Sequence, residues 1–326
     1  VIGADSETHL FTDYVQAPKP VVFTFYSDTS QYHGEELPDW LEDLAQACPD
    51  WCYVEREGTQ WFAALTGKGL DYVPKLVDEH STCWHHAAFD LSVLAAHIPS
   101  GTQVAFDALR DGRAYCTKVR EQLISIASGR FKTDHKRRGF FALSGCVERR
   151  LGFEVEGKYG PDAWRTRYNE LEGQPFRTWP EAARSYALMD AKLCFDVYGH
   201  QGCETLTDMQ TGAVVVDEEG GVTDEIRQTR AAFCLQLMAC EGVNLDPAAC
   251  IETIRQWHDI AKQGQDVGRA AGFIKANGAR DMKALRAHVE AAYARRGMVP
   301  GTTESGLIST DETTLANSGD ESLEAY

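Results

Sequence analysis

The sequence predicts an α/β domain with a mixed sheet over residues 1–202, followed by a helical segment. Three observations lead there. Short runs rich in β-branched and aromatic residues alternate with stretches of helical periodicity through the first part of the chain. A polar, glycine-rich passage at 203–223, including Asp217-Glu218-Glu219-Gly220-Gly221, then reads as a linker. Beyond it, over 224–326, every periodic stretch is helical, and the sequence shows no tandem repeat or low-complexity tract.

Residues 1–8 open on apolar side chains and run into Asp5 and Glu7, the pattern of a buried strand whose end has turned acidic. Strand alternation puts Asp5 and Glu7 on one face and points Ser6 away. Residues 20–26 form a second strand paired with the first, and 37–47, with Trp40, Leu41 and Leu44 on one face, form a short helix. A third strand at 81–85 leads into Ala87-Ala88-Phe89-Asp90, where an apolar helix begins and continues to about residue 97. Helices are predicted at 116–128 and 141–151. Thr178-Trp179-Pro180-Glu181 reads as a helix start with Thr178 as cap, the helix running to about residue 199.

In the last segment a helix at 225–240 carries an apolar stripe through Ile226, Ala232, Phe233, Leu237 and Met238. Asp246-Pro247 caps a helix to about residue 262, a third follows at 281–296, and Ser309-Thr310-Asp311-Glu312 is a capping box for a fourth.

The 326 residues suffice for two domains with separate cores. The formal charge of −17 (32 basic against 49 acidic residues) argues against a wide basic surface that grips duplex DNA, and leaves room only for local basic contacts. The obvious basic run spans 130–138 and includes Lys136, Arg137 and Arg138. Of the ten cysteines only Cys48 and Cys52 lie close together, and no second pair completes a zinc site. They read as free thiols in a reducing cytosol, with Cys194, Cys234 and Cys240 acting as small buried hydrophobes. No apolar run reaches membrane-spanning length and the start lacks a signal-peptide pattern; a chain that begins at Val1, already inside a strand, is expected to be a trimmed piece.

Two carboxylates held side by side repel each other, and burying them unpaired is costly; a divalent cation relieves both. Singly, each acid has an ordinary reading. Asp5 and Glu7 can be an exposed strand end, Asp90 a first-turn acid favoured by the helix dipole, Asp190 a solvated helix residue and Tyr186 a core residue. The ordered set carries more information: a strand-borne Asp5-x-Glu7, then Phe89-Asp90 opening a helix, then Tyr186 and Asp190 one helical turn apart. Four such carboxylates suit two hard ions, Mg²⁺ or Mn²⁺. Two ions roughly 3.5–4 Å apart can serve the attacking and leaving oxygens of an in-line phosphoryl displacement, with a tyrosine hydroxyl orienting the water.

This set resembles the DEDD exonucleases of the tyrosine subtype, and it matches the three exonuclease motifs of family A DNA polymerases of the bacterial polymerase I type. Cys116-Thr117-Lys118-Val119-Arg120-Glu121-Gln122-Leu123 and Trp164-Arg165-Thr166-Arg167-Tyr168-Asn169-Glu170-Leu171-Glu172-Gly173 are similar to phage members of that family. Arg227-Gln228-Thr229-Arg230-Ala231-Ala232-Phe233 and Gly242-Val243-Asn244-Leu245-Asp246-Pro247 resemble the start of the thumb, and Gly306-Leu307-Ile308-Ser309-Thr310 with Leu315 resembles the segment before the palm.

The resemblance implies a ribonuclease H-like mixed sheet flanked by helices, the 3′–5′ exonuclease fold, at 1–202, and a partial helical thumb at 224–326. It implies that Asp5, Glu7, Asp90 and Asp190 bind two Mg²⁺ ions, Mn²⁺ being possible, and that Tyr186 positions the nucleophilic water. Thr8 would lie near the 3′-terminal nucleotide, Leu10 or Phe11 would wedge between the last bases, and Lys136, Arg137 and Arg138 would contact phosphate or form a solvated loop. The family has Asn where this chain has His86, which is expected beside the nucleic acid and is read as a hydrogen-bonded histidine near the site in preference to a new metal ligand; either could shift the pH dependence.

The implied activity is proofreading hydrolysis of the 3′ end of single-stranded DNA by a cytoplasmic monomer, in a bacterial cell or phage-infected host. A palm and fingers would lie downstream or act in trans, and no membrane is involved. No acidic palm motif follows the thumb-like segment, so this chain is expected to trim DNA without extending it. A free-standing exoribonuclease of the ribonuclease D type shares the catalytic set, and a catalytically silent single-strand-binding scaffold is the reading from another class.

Overall fold

In the computed structural model the described residues are 1–10, 16–31, 33–155, 163–202, 206–207, 212, 214–216, 222–242, 246–303 and 305–325. β1 (Ile2–Thr8) is the hub of the sheet, with Ile2 and Ala4 fully buried on the way to its acidic end. It pairs antiparallel with β2 (Pro20–Asp28), Asp5 lying opposite Thr24 and Glu7 opposite Val22. α1 (Trp40–Ala47) then leads to a hairpin of β3 (Cys52–Glu57) and β4 (Gln60–Thr66), and α2 (Val73–Glu79) follows. β5 (Thr82–Trp84) runs parallel to β1 and feeds α3 (Ala87–His97), and α4 (Gly101–Arg110) leads to β6 (Ala114–Cys116), parallel to β5. The strand order is β3-β4-β2-β1-β5-β6, a six-stranded mixed sheet flanked by helices.

α5 (Thr117–Ala127), the short α6 (Phe131–Asp134), α7 (Leu143–Leu151) and the long α8 (Glu181–Gln201) complete the layers. β7 (Leu206–Thr207) and β8 (Val214–Val216) pair antiparallel within the stretch expected as a linker, most of which lies outside the described residues.

The core on one side of the sheet is built around Trp84, whose ring meets Phe23 and Phe25 edge-on at 6.2 and 6.4 Å. α8 lies against β1 on the other side. The contact is so close that a Cβ at Gly3 would sit 2.3 Å from the Ala191 carbonyl oxygen and 2.7 Å from Phe195 Cβ. Only glycine fits there, and that approach brings Asp190 to the end of β1.

α9 (Glu225–Glu241) belongs to the α/β unit, which extends from Val1 to Gly242. This corrects the expected boundary at 203–223. Phe233 is buried in the main core and meets Phe106 at 5.4 Å, and Glu225 forms a buried ion pair with Arg120 at 2.9 Å. Of the rest of the expected stripe, Ile226, Ala232 and Leu237 are half-buried, Ala232 and Leu237 packing against that core, while Met238 is 67% exposed; Cys234 is exposed and Cys240 half-buried where burial was expected.

The second unit, Val243–Tyr326, holds α10 (Pro247–Ala270), α11 (Met282–Arg295), α12 (Glu312–Ala316) and α13 (Glu321–Glu324). Its own small core gathers Phe273, Leu285, Val289 and Leu323. α10 outruns its expected end at 262 and is capped by Asp246, which accepts from the Ala248 and Ala249 N–H groups.

Two expected caps are displaced. Thr178 donates to the Pro175 carbonyl inside a 3₁₀ turn, so α8 starts at Glu181 without it. Asp311, and not Ser309, caps α12 by accepting from the Thr314 N–H at 2.7 Å, while the Ser309 hydroxyl donates to the Asp311 carboxylate.

Gly3→Val is expected to destabilise the protein by about 1–3 kcal/mol through overpacking against α8, read as a lowered urea midpoint at unchanged slope.

Candidate active site

The acidic end of β1 lies where the polypeptide returns twice. Asp5, Glu7 and Asp190 each offer a carboxylate oxygen, and the three oxygens lie within 4.8 Å of one another. Glu7 and Asp190 are 9% and 7% exposed, so the cluster is held largely out of water. Oxygen donors that are hard, anionic and this close suit a hard divalent cation, and the triad could hold a metal ion.

Asp90 reaches the same cleft from the first turn of α3 but stands outside this group of three. Ser6, expected to point away from the acids, is buried and donates its hydroxyl to Asp90 Oδ1 at 2.6 Å. Burial, with the Asp190 charge adding to it, holds the Asp90 carboxyl well above the ordinary carboxylate range, and the Ser6 hydrogen bond offsets only part of that.

Tyr186, one turn before Asp190 on α8, faces the acids. Burial raises its phenol pKa, and the charges of Asp190, Glu7 and Asp5 raise it further, so it carries its proton through the neutral range. Behind it stands Tyr168, almost fully buried, with its ring 6.2 Å from that of Tyr186. The Tyr168 hydroxyl donates to the Ala183 carbonyl at 2.8 Å, which ties down the turn of α8 that carries Tyr186.

These groups form the floor of a cleft of about 690 Å³. Thr8 and Leu10 line its mouth, Leu10 being 55% exposed, while Phe11 lies outside the described residues. Arg137 and Arg138 line one wall; Lys136, next to them in sequence and expected to act with them, is exposed but does not line the cleft. That wall is fixed from behind. Arg149 donates to the Phe140 carbonyl at 2.7 Å and lies over its ring at 3.6 Å, and the buried Glu121 carboxylate holds both Arg149 and Arg150.

His86 also lines the cleft, its ring parallel to that of Phe89 at 6.2 Å. The ring keeps an exposed edge, yet enclosure by its surroundings, and then the Lys118 ammonium, hold it below the usual imidazole value. The hydrogen-bonded histidine expected at this place is its neighbour His85, which bridges Thr117 Oγ1 at 2.9 Å and the Phe141 carbonyl at 3.1 Å.

Sequence reading missed Tyr168, His85, Lys118 and Arg165, all beside or within the cleft. Their one signal was that Lys118, Arg165 and Tyr168 fall within the two stretches similar to phage polymerases; nothing in the local pattern marks out His85. At the mouth His9 pairs with Glu172 at 2.8 Å, and Lys19 shares that carboxylate.

Fold and site together define an α/β protein with a buried acidic cluster that can hold a cation, set in a cleft with a cationic rim. Among the described residues no helix is long and apolar enough to cross a membrane. Comparison with protein-family models, curated proteins and solved structures finds no match to this chain.

Asp190→Asn is expected to raise the melting temperature of the metal-free protein, because it removes one like charge from a buried cluster. Mn²⁺ should raise the melting temperature of the parent protein more than that of the variant, read by calorimetry with and without EDTA.

Proposed function

We propose that this chain is a metal-dependent 3′–5′ exonuclease that removes nucleotides from the 3′ end of single-stranded DNA. The observation that carries the reading is the approach of Asp5, Glu7 and Asp190 to within 4.8 Å in a cleft shared with Asp90 and Tyr186. The mixed sheet, with β5 and β6 parallel to β1 and β2 antiparallel to it, is compatible with a ribonuclease H-like fold. The motif resemblance supports assignment to the proofreading part of a family A DNA polymerase, acting in the cytoplasm, with the helical unit after Gly242 as the start of a thumb.

Asp5, Glu7, Asp90 and Asp190 would hold a pair of Mg²⁺ or Mn²⁺ ions. When bound, such a pair supplies positive charge at the attacking and leaving oxygens of an in-line displacement. The Tyr186 hydroxyl, kept protonated, accepts a hydrogen bond from the attacking water and aims it at phosphorus. Water adds to phosphorus and gives up a proton to solvent, the bond to the 3′ oxygen of the preceding nucleotide breaks, that oxygen takes a proton from solvent, and a 5′-mononucleotide leaves. Thr8 and Leu10 hold the terminal nucleotide at the mouth, Leu10 by apolar contact with a base. Arg137 and Arg138 offset phosphate charge on one wall.

Asp5→Ala combined with Glu7→Ala is expected to abolish Mg²⁺-dependent shortening of a single-stranded DNA oligonucleotide while the circular dichroism spectrum stays native. Shortening at the parental rate would remove these residues from the mechanism. An RNA oligonucleotide run in parallel separates this reading from a ribonuclease D-like one: DNA should be the faster substrate.

A further inference from the structure

The cleft has cations on both flanks of its acidic floor, and only those on one flank belong to the basic run at 130–138. Lys118 sits in the first turn of α5, directly after β6, and its backbone N–H donates to the His85 carbonyl at 3.3 Å, just ahead of α3 and Asp90. Arg165 sits in the 3₁₀ turn Trp164–Thr166, which packs on α8; the next turn, Tyr168–Leu171, packs on β1 and β2. β2 and β6 lie on opposite sides of β1 in the sheet, so Lys118 and Arg165 approach the carboxylates from opposite directions.

Each cation is tied to a different part of the site. Arg165 acts electrostatically on Tyr186, and Lys118 on His86, the residue four before Asp90. Lysine ion pairs among the described residues are those of Lys19, Lys75, Lys192 and Lys275, which leaves the half-buried Lys118 ammonium without one. A lysine held in a cleft with acids on its floor, and with no ion-pair partner among the described residues, is placed to receive an anion. Phosphates of a single strand recur at each nucleotide, so a strand crossing the floor presents one to each flank.

We propose that Arg165 and Lys118 are substrate-contacting residues that divide two successive phosphates between them: Arg165 takes the scissile phosphate beside Tyr186, and Lys118 takes the next phosphate upstream, beyond Asp90. This rests on the exonuclease reading above. The cleft therefore recognises the 3′-terminal two phosphodiesters of a strand by charge, without reading the bases. The guanidinium can engage two oxygens of the reacting phosphate, whereas the ammonium acts as a single point of charge on a spectator group.

The test compares the full chain acting on two thymidine substrates in Mg²⁺, TpT with one phosphodiester and TpTpT with two. Arg165→Gln should raise KM or lower kcat/KM by about tenfold on both substrates, the loss of one charge-assisted contact. Lys118→Gln should raise KM about tenfold for TpTpT and several-fold less for TpT, with Lys118→Arg restoring most of the loss. On a longer oligothymidylate the slope of log(kcat/KM) against log salt should fall by about 0.7 for Lys118→Gln, one phosphate contact fewer. Matching thermal melts establish that the variants are folded.

Equal effects of Lys118→Gln on TpT and TpTpT, or failure of Lys118→Arg to restore, overturn the division of phosphates while leaving the nuclease intact. A parent protein that cleaves neither substrate nor a longer strand overturns the exonuclease reading itself.

Discussion

Like charges crowded at the end of one strand are the constraint that everything else in the α/β unit has to accommodate. Two unit charges 4 Å apart still repel by about 4 kcal/mol at an effective dielectric of 20, a large share of the roughly 5–15 kcal/mol by which a domain is stable. Asp5, Glu7 and Asp190, with carboxylate oxygens within 4.8 Å of one another, come close to this condition, and Asp90 adds a further buried carboxyl beside them. The protein holds them by over-determining the backbone. Gly3 lets α8 lie against β1 with no side chain between, Trp84 and its aromatic neighbours fix the sheet from the opposite face, and Ser6 gives Asp90 a hydrogen bond. A divalent cation placed among these oxygens would turn the repulsion into attraction.

The distribution of charge matters more than its sum. A chain of net charge −17 looks poorly suited to a polyanion, yet its cleft carries Lys118, Arg137, Arg138 and Arg165 around the acidic floor. The cations sit on the walls, on elements that converge from both sides of β1, while the acids sit at the bottom. Such an arrangement focuses a single anionic group toward the carboxylates without making the whole surface basic.

The elements that carry the acids were legible in the sequence. β1, β2, α3 and α8 have strong local signals: an apolar strand turning acidic, a β-branched and aromatic run, an apolar helix opening on Phe89-Asp90, and a long helix carrying Tyr186 and Asp190. The β3–β4 hairpin was not legible, because Glu55, Arg56 and Glu57 give an edge strand the look of a solvated loop; charges there discourage edge-to-edge pairing. β6 is only three residues long and α2 only seven, too short for a periodic signal, and Gly101 weakens the helical reading of α4, so they too escaped notice. The place of α9 depends on Glu225 meeting Arg120 across a long stretch of chain, which no local pattern encodes. The same holds for Tyr168 behind Tyr186 and for His85 between Thr117 and Phe141. Their importance is a property of contacts made by the fold.

The most direct test of the central claim is crystallographic. Crystals grown or soaked with Mn²⁺ and measured at the manganese absorption edge should show an anomalous peak within about 2–2.5 Å of carboxylate oxygens of Asp5, Glu7 and Asp190. Density at those carboxylates with no anomalous peak, while manganese binds elsewhere in the same crystal, would contradict the claim that this cluster exists to hold a cation.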